Sequence, residues 1–173
     1  MTKETALAEP RDIEPSHSPD LGVAHSPIHG FGVFASAPLA AGTILVRLGG
    51  RFVSFSEAGV LSSSIVVGEG VLLGGIYTTK HEPAACVNHS CDPSAGFGDA
   101  VTIVAAREIR PGEEITVDYA YGGWGLQHPC NCGSERCRGI IVDSDWERPE
   151  LADRILRWAS PFLRRRLIRI RPH

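Results

Sequence analysis

Cys130-Asn131-Cys132-Gly133-Ser134-Glu135-Arg136-Cys137 places three thiols within eight residues in a C-x-C-x4-C spacing. Structural Zn²⁺ takes four soft ligands in a tetrahedron, and a disulfide across C-x-C would close a small strained ring. Metal binding is therefore the chemistry this spacing favours, with disulfides or free thiols as the plain alternative. The fourth ligand has to come from elsewhere, and Cys86, Cys91 and His128 are the candidates. A second segment, Asn88-His89-Ser90-Cys91-Asp92-Pro93, has neither helical nor strand period and reads as an Asx-type turn. Its His and Cys invite a thiol-nucleophile reading, but such close neighbours in sequence rarely converge and no second base is identifiable. A third stretch runs from the turn Arg110-Pro111-Gly112 through Ile115-Thr116-Val117 to Asp118-Tyr119. Taken alone, that tyrosine is an ordinary aromatic at a strand end. The fourth, His29-Gly30-Phe31-Gly32, lets a backbone approach a ligand closely. The full G-x-G-x-x-G is missing, so a dinucleotide site of the Rossmann type is not supported.

The elements that must position these groups are mostly short and β-branched. Residues 43–48, 64–67, 71–73, 101–105, 115–118 and 139–142 read as strands, with Gly68-Glu69-Gly70 turning a hairpin between the second and third. After Pro149 the pattern changes. Leu151, Ile155 and Trp158 fall on one helical face, Ser160-Pro161 reads as an N-cap followed by N1, and Leu163, Leu167 and Ile170 repeat the stripe. The sequence thus predicts one mainly β domain closed by two short amphipathic helices, and 173 residues suffice for a single core. Residues 1–20, rich in Pro, Ser and charge, are expected to be a disordered leader without the apolar run of a secretory signal. No apolar run is long enough to span a bilayer. A cytoplasmic location with reduced cysteines is the resulting expectation. The 15 Arg against 2 Lys fit a GC-rich coding sequence and hence a bacterial source. All 20 acidic residues lie at or before Asp153, whereas seven Arg follow it. This basic tail is read as packing through its apolar stripe, with nucleic acid as a possible but unfavoured partner.

In this order and spacing the four motifs, spanning roughly residues 24–139, resemble the SET-domain family of protein lysine methyltransferases. The resemblance implies a mainly β SET (β-clip) fold with a knot-like substructure, over residues 21–122. A post-SET zinc segment would follow at 123–142 and the basic helical tail at 143–173. It implies methyl transfer from S-adenosylmethionine to a lysine side chain of a protein or peptide. Gly30, Phe31, Gly32, Asn88 and His89 would contact that cofactor, Tyr119 would be the catalytic tyrosine, and Cys91 would join Cys130, Cys132 and Cys137 around one structural zinc. Cys86 is then left over as a small buried hydrophobe.

There are departures from the family pattern. His128 stands where many relatives carry a Phe that packs on adenine, and Trp124 is the candidate substitute. Ser94 replaces the usual Asn, the pre-SET cysteines are absent, and the stretch between Gly50 and Asn88 is short. Val117 occupies a position commonly Phe or Tyr that lines the substrate channel. A smaller side chain there implies room for di- or trimethylation, unless another residue such as Tyr77 narrows the channel. The alternative function is a catalytically inactive SET-like zinc module that binds a protein or nucleic-acid partner.

Overall fold

The computed structural model describes residues 12–58, 64–75, 81–123 and 127–170. Within them the chain runs through β1 (Ser16–His17), β2 (Leu21–His25), β3 (Phe31–Ala35), β4 (Ile44–Arg47), β5 (Arg51–Ser54) and the single turn α1 (Phe55–Ala58). It continues through β6 (Ser64–Gly68), β7 (Val71–Gly74), β8 (Asn88–His89), β9 (Ala95–Phe97), β10 (Thr102–Ala105) and β11 (Glu114–Val117). The last elements are β12 (His128–Pro129), β13 (Ile140–Ile141), α2 (Ala152–Trp158) and α3 (Pro161–Ile170). The mainly β architecture and the strand assignments read from β-branched runs hold.

Two four-stranded sheets, ordered β1-β4-β10-β9 and β2-β3-β11-β8, carry the body, with a three-stranded β5-β7-β6 sheet and a β12-β13 ribbon beside them. Leu45 and Val46 of β4, Ile103 of β10, Val33 of β3 and Ile115 of β11 are buried and belong to one hydrophobic core. β11 is entered through a tight turn in which Glu113 N–H donates to the Arg110 carbonyl at 3.1 Å. Gly112, at φ 79°, takes the left-handed position that a type II turn reserves for glycine after proline. That turn aims β11 so that it pairs antiparallel with β3 on one side and parallel with β8 on the other. In the parallel register Thr116 faces Asn88 and Val117 faces His89, which sets the Asn-His and Asp-Tyr segments side by side.

The leader is ordered further back than expected. Ser16 and His17 pair with Arg47 and Val46, and Ile13 bridges Gly50, so the disordered-leader expectation fails for residues 12–20. An edge strand this short has no detectable alternation in sequence, and Pro15 and Pro19 mask it further.

The C-terminal helices form as expected. Ser160 caps α3, its Oγ accepting from Leu163 N–H at 3.4 Å and its carbonyl accepting from Arg164 N–H at 3.0 Å. Leu151, Ile155, Leu163 and Leu167 are buried in the core, whereas Ile170 is 51% exposed, so the packed stripe ends one turn early. No described helix is long and apolar enough to cross a membrane. Because α3 is held by Leu163 and Leu167 rather than by its charges, Leu167→Ala is expected to lower stability by about 2–5 kcal/mol in denaturant unfolding. Exposed Arg165→Ala should change it by less than about 0.5 kcal/mol.

Candidate functional site

Asn88 and His89 are buried on β8, against the strand that ends in Tyr119. The Asn88 amide nitrogen donates to the carbonyls of His29 (3.1 Å) and Phe31 (3.0 Å), and lies 2.8 Å from Glu114 Oε1. The Ser26 hydroxyl bonds the same carboxylate, 2.8 and 2.9 Å from its two oxygens. Glu114 therefore clamps both ends of the 26–32 loop. It does so across Gly32, where an added Cβ would lie 2.8 Å from the Glu114 Cδ, so only glycine admits the carboxylate. Phe31 turns away from the site, its ring stacked on His25 (4.6 Å between centroids) and tilted against His81 (4.4 Å).

A cavity of about 440 Å³ opens where these segments meet. Ile28, His29, Asn88, His89 and Tyr119 form one side, and His128, Pro129, Cys130, Asn131 and Ile141 close the other. The Tyr119 hydroxyl donates to the Val87 carbonyl at 3.3 Å. Burial, with the nearby Glu114 charge, pushes this phenol up to about 12, so it stays protonated at neutral pH. The Tyr119 backbone N–H donates to His89 Nδ1 at 3.1 Å, which leaves the proton of the neutral ring on Nε2, 3.3 Å from the Cys91 sulfur. Burial lowers His89 to about 4 despite the opposing pull of Asp118, so the ring is neutral. His128 stands edge-on to Tyr119, 6.0 Å between centroids.

The sulfurs of Cys91, Cys130, Cys132 and Cys137 all lie within 4.8 Å of one another. Cys91 and Cys130 are 3.8 Å apart, which is about the edge of a tetrahedron with zinc–sulfur bonds of ~2.3 Å. Burial raises the Cys91 thiol to about 11, so a bound cation is what would hold it as thiolate at neutral pH. None of the five cysteines is in a disulfide, and the donor set of Cys91, Cys130, Cys132 and Cys137 fits one zinc. Cys86 lies in the hydrophobic core outside the cluster, and His128 belongs to the cavity, its Nδ1 3.0 Å from the Pro129 carbonyl.

Sequence reasoning missed the groups beneath the cluster. Arg138, the residue after the last cysteine, sends Nη1 and Nη2 to the two oxygens of Asp118, each at 2.7 Å, and Nε to Asp145 at 3.0 Å. Both carboxylates have no exposed side-chain surface. Arg154 reaches in from α2 to the Cys91 carbonyl at 2.8 Å. The Asp118-Tyr119 motif contained half of this pair, but nothing in the spacing marks Arg138 as its partner. Glu114 lies within the Pro-Gly-to-Asp-Tyr stretch singled out in the sequence, but nothing in the spacing marks Asn88 or Ser26 as its partners.

Of the expected cofactor contacts, Asn88 and His89 line the cavity. Gly30, Phe31 and Gly32 are not among its lining residues; their neighbours Ile28 and His29 form that wall. Trp124 and Tyr77 lie outside the described residues. Val117, expected in the substrate channel, has no exposed surface and sits in the core rather than on the cavity, so its position gives no support to multiple methylation.

Residues 30–120 match the SET domain, and the chain belongs to that family. It is 33% identical over 144 residues to the histone-lysine N-methyltransferase TRX1 of Oryza sativa subsp. japonica, covering 73% of this chain and 14% of the rice protein. It is 32% identical, with the same coverage, to the histone H3-lysine(4) N-trimethyltransferase ATX1 of Arabidopsis thaliana. Against trithorax of Drosophila virilis the identity is 26%, over 76% of this chain and 4% of the fly protein. The chain thus spans a small fraction of the length of these relatives. From the four-sulfur geometry, reduced protein should carry about one zinc per chain by metal analysis. Cys91→Ser should lose it and Cys86→Ser should retain it; the reverse pattern would overturn the ligand set.

Proposed function

We propose that this protein is a protein-lysine N-methyltransferase that uses S-adenosylmethionine. What supports the reading most directly is the placement of the neutral, hydrogen-bonded Tyr119 phenol on the wall of the Asn88–His89 cavity, in a chain of this family. The cavity is of the size usual for small-molecule sites and combines apolar walls from Ile28 and Ile141 with a few convergent polar groups. Those residues, with His29 and Asn88, would hold the cofactor. When bound, it supplies an electrophilic methyl group on a sulfonium.

The chain's own task is to present a neutral amine and keep water out. Free lysine has a pKa near ~10.4, and a buried site disfavours its charged form. Neither His89, neutral with Nδ1 already occupied, nor the protonated Tyr119 offers the ammonium a counter-charge. Because the Tyr119 hydroxyl donates its proton to the Val87 carbonyl, toward a substrate amine it would act as an acceptor that orients an N–H. It acts as a fixed dipole rather than a base. The relatives named for histone lysines make a histone tail the first substrate to try. The thiol-rich metal site suits a reducing compartment such as the cytoplasm.

Incubation with methyl-labelled cofactor and histone H3 or mixed lysate protein should place label on lysine, read by mass spectrometry. Tyr119→Phe should bind cofactor with little loss and transfer methyl at least ~10-fold more slowly, about 1.4 kcal/mol of barrier. Wild-type turnover in that variant would remove Tyr119 from its role, and absence of label on any lysine would overturn the assignment.

A further inference from the structure

His89 stands between the cysteine cluster and the tyrosine, and both of its ring nitrogens are engaged within the protein. The parallel register of β8 and β11 sets it beside Val117, so its ring reaches the Asp118-Tyr119 turn. Nδ1 can only accept from the Tyr119 backbone N–H at 3.1 Å, and Nε2–H is then directed at the Cys91 sulfur at 3.3 Å. Asp118 does not compete for the ring: its Oδ1 is 3.7 Å from Nδ1, and each of its oxygens is taken by Arg138 at 2.7 Å. The same sulfur receives a second N–H, from the Arg138 backbone at 3.3 Å, and the Arg138 side chain grips the residue before Tyr119. Two routes therefore run from one sulfur to one turn.

We propose that His89 is a positioning residue that couples the four-cysteine metal site to Tyr119, with Nε2–H bonded to the Cys91 sulfur and Nδ1 holding the Tyr119 backbone amide. With both nitrogens spent, the ring has no polar atom left for the cofactor and meets the cavity only as a wall. A metal-bound thiolate accepts an N–H more strongly than a neutral thiol does, so metal binding orders the imidazole. Such outer-shell partners commonly alter metal affinity or activity by ~10–100-fold. Through the Tyr119 amide the ring fixes where the hydroxyl stands, and a displacement of ~1 Å there is worth ~10²-fold in rate. The kinetic part of this inference rests on the methyltransferase reading; the metal part does not.

Two substitutions in the zinc-loaded protein divide the two bonds. The amide nitrogen of glutamine replaces Nε2, and the carbonyl oxygen of asparagine replaces Nδ1. His89→Asn should release zinc to a colorimetric chelator ~10-fold or more faster than wild type. His89→Gln should release it near the wild-type rate but lose ~10-fold in kcat with little change in cofactor KM. Exchange of zinc for cadmium should shift the Tyr119 amide resonance in the wild type and leave it in place in His89→Gln. Wild-type zinc release in His89→Asn, or a raised cofactor KM with intact kcat in both variants, would overturn the proposal. So would a Tyr119 resonance that ignores the metal in the wild type. If the wild type transfers no methyl group, the functional reading fails, while the zinc-release and cadmium measurements still decide the coupling.

Discussion

Asp118 carries a carboxylate with no solvent exposure, and the structure is arranged around satisfying it. Arg138 supplies a bidentate pair at 2.7 Å, the Ala120 N–H adds 3.1 Å to Oδ1, and Arg154 lies 3.7 Å from Oδ2. Burying a carboxylate and a guanidinium costs several kcal/mol per ion, and their attraction repays it only where geometry and hydrogen bonding are complete. Such a pair adds little to net stability over an apolar replacement. What it imposes is location, since leaving one partner unpaired costs about 3–5 kcal/mol. Arg138 is the residue after Cys137, Asp118 precedes Tyr119, and Asp145 begins the approach to α2. One guanidinium thus joins the cysteine loop, the tyrosine turn and the approach to the tail.

The same logic recurs on the far side of the cavity at smaller scale. Glu114 gathers Ser26 and Asn88, and Asn88 holds the His29 and Phe31 carbonyls. The loop wall at Ile28 and His29 is thereby tied to β8 and β11 rather than left to its own turn propensity. A cavity bounded by two polar clamps and a four-cysteine cluster is preorganised by fixed polar contacts as well as by the core behind it. That suits a chain whose strands are four or five residues at most. Chemistry that needs a neutral amine and an aligned methyl group asks for this kind of rigidity more than for strong acids or bases.

What was legible in the sequence follows from the range of the interaction involved. Strands such as Ile44–Arg47, Thr102–Ala105 and Glu114–Val117 announce themselves by β-branched runs between glycine and proline turns, and the caps of α3 by Ser160-Pro161. The cysteine set was legible only through family resemblance, because Cys91 lies 39 residues from Cys130 and spacing alone left Cys86 and His128 open. Side-chain direction was not legible. Resemblance placed Val117 in the substrate channel, but strand pairing seals it in the core; the 30–32 loop was expected to act through its backbone, which the stacking of the Phe31 ring on His25 leaves untouched. Two-residue strands such as Ser16–His17 carry no period at all, so the ordered leader could not be seen. In the Asp118–Arg138–Asp145 network the partners lie 20 and 7 positions apart and only Asp118 falls in a motif, since buried ion pairs obey geometry rather than spacing.

The charge asymmetry of the chain now has a physical account. Seven arginines after Asp153 look like a patch awaiting a polyanion, yet the described ones near the body are used for packing as much as for charge. Arg154 turns inward to the Cys91 carbonyl. The guanidinium carbon of Arg157 lies 5.0 Å from the Trp158 ring centroid and that of Arg166 5.2 Å from the Trp146 centroid, each a cation placed over an indole. Arginine can cover apolar surface with its stem and stack its head while keeping its charge in water, which lysine does less well. The helix pair, anchored by Ile155, Leu163 and Leu167, packs against the turn Asp143–Glu147 that carries Asp145. Through Asp145, which pairs with Arg138, and through Arg154 on the Cys91 carbonyl, the tail meets the tyrosine turn and the cysteine cluster from behind.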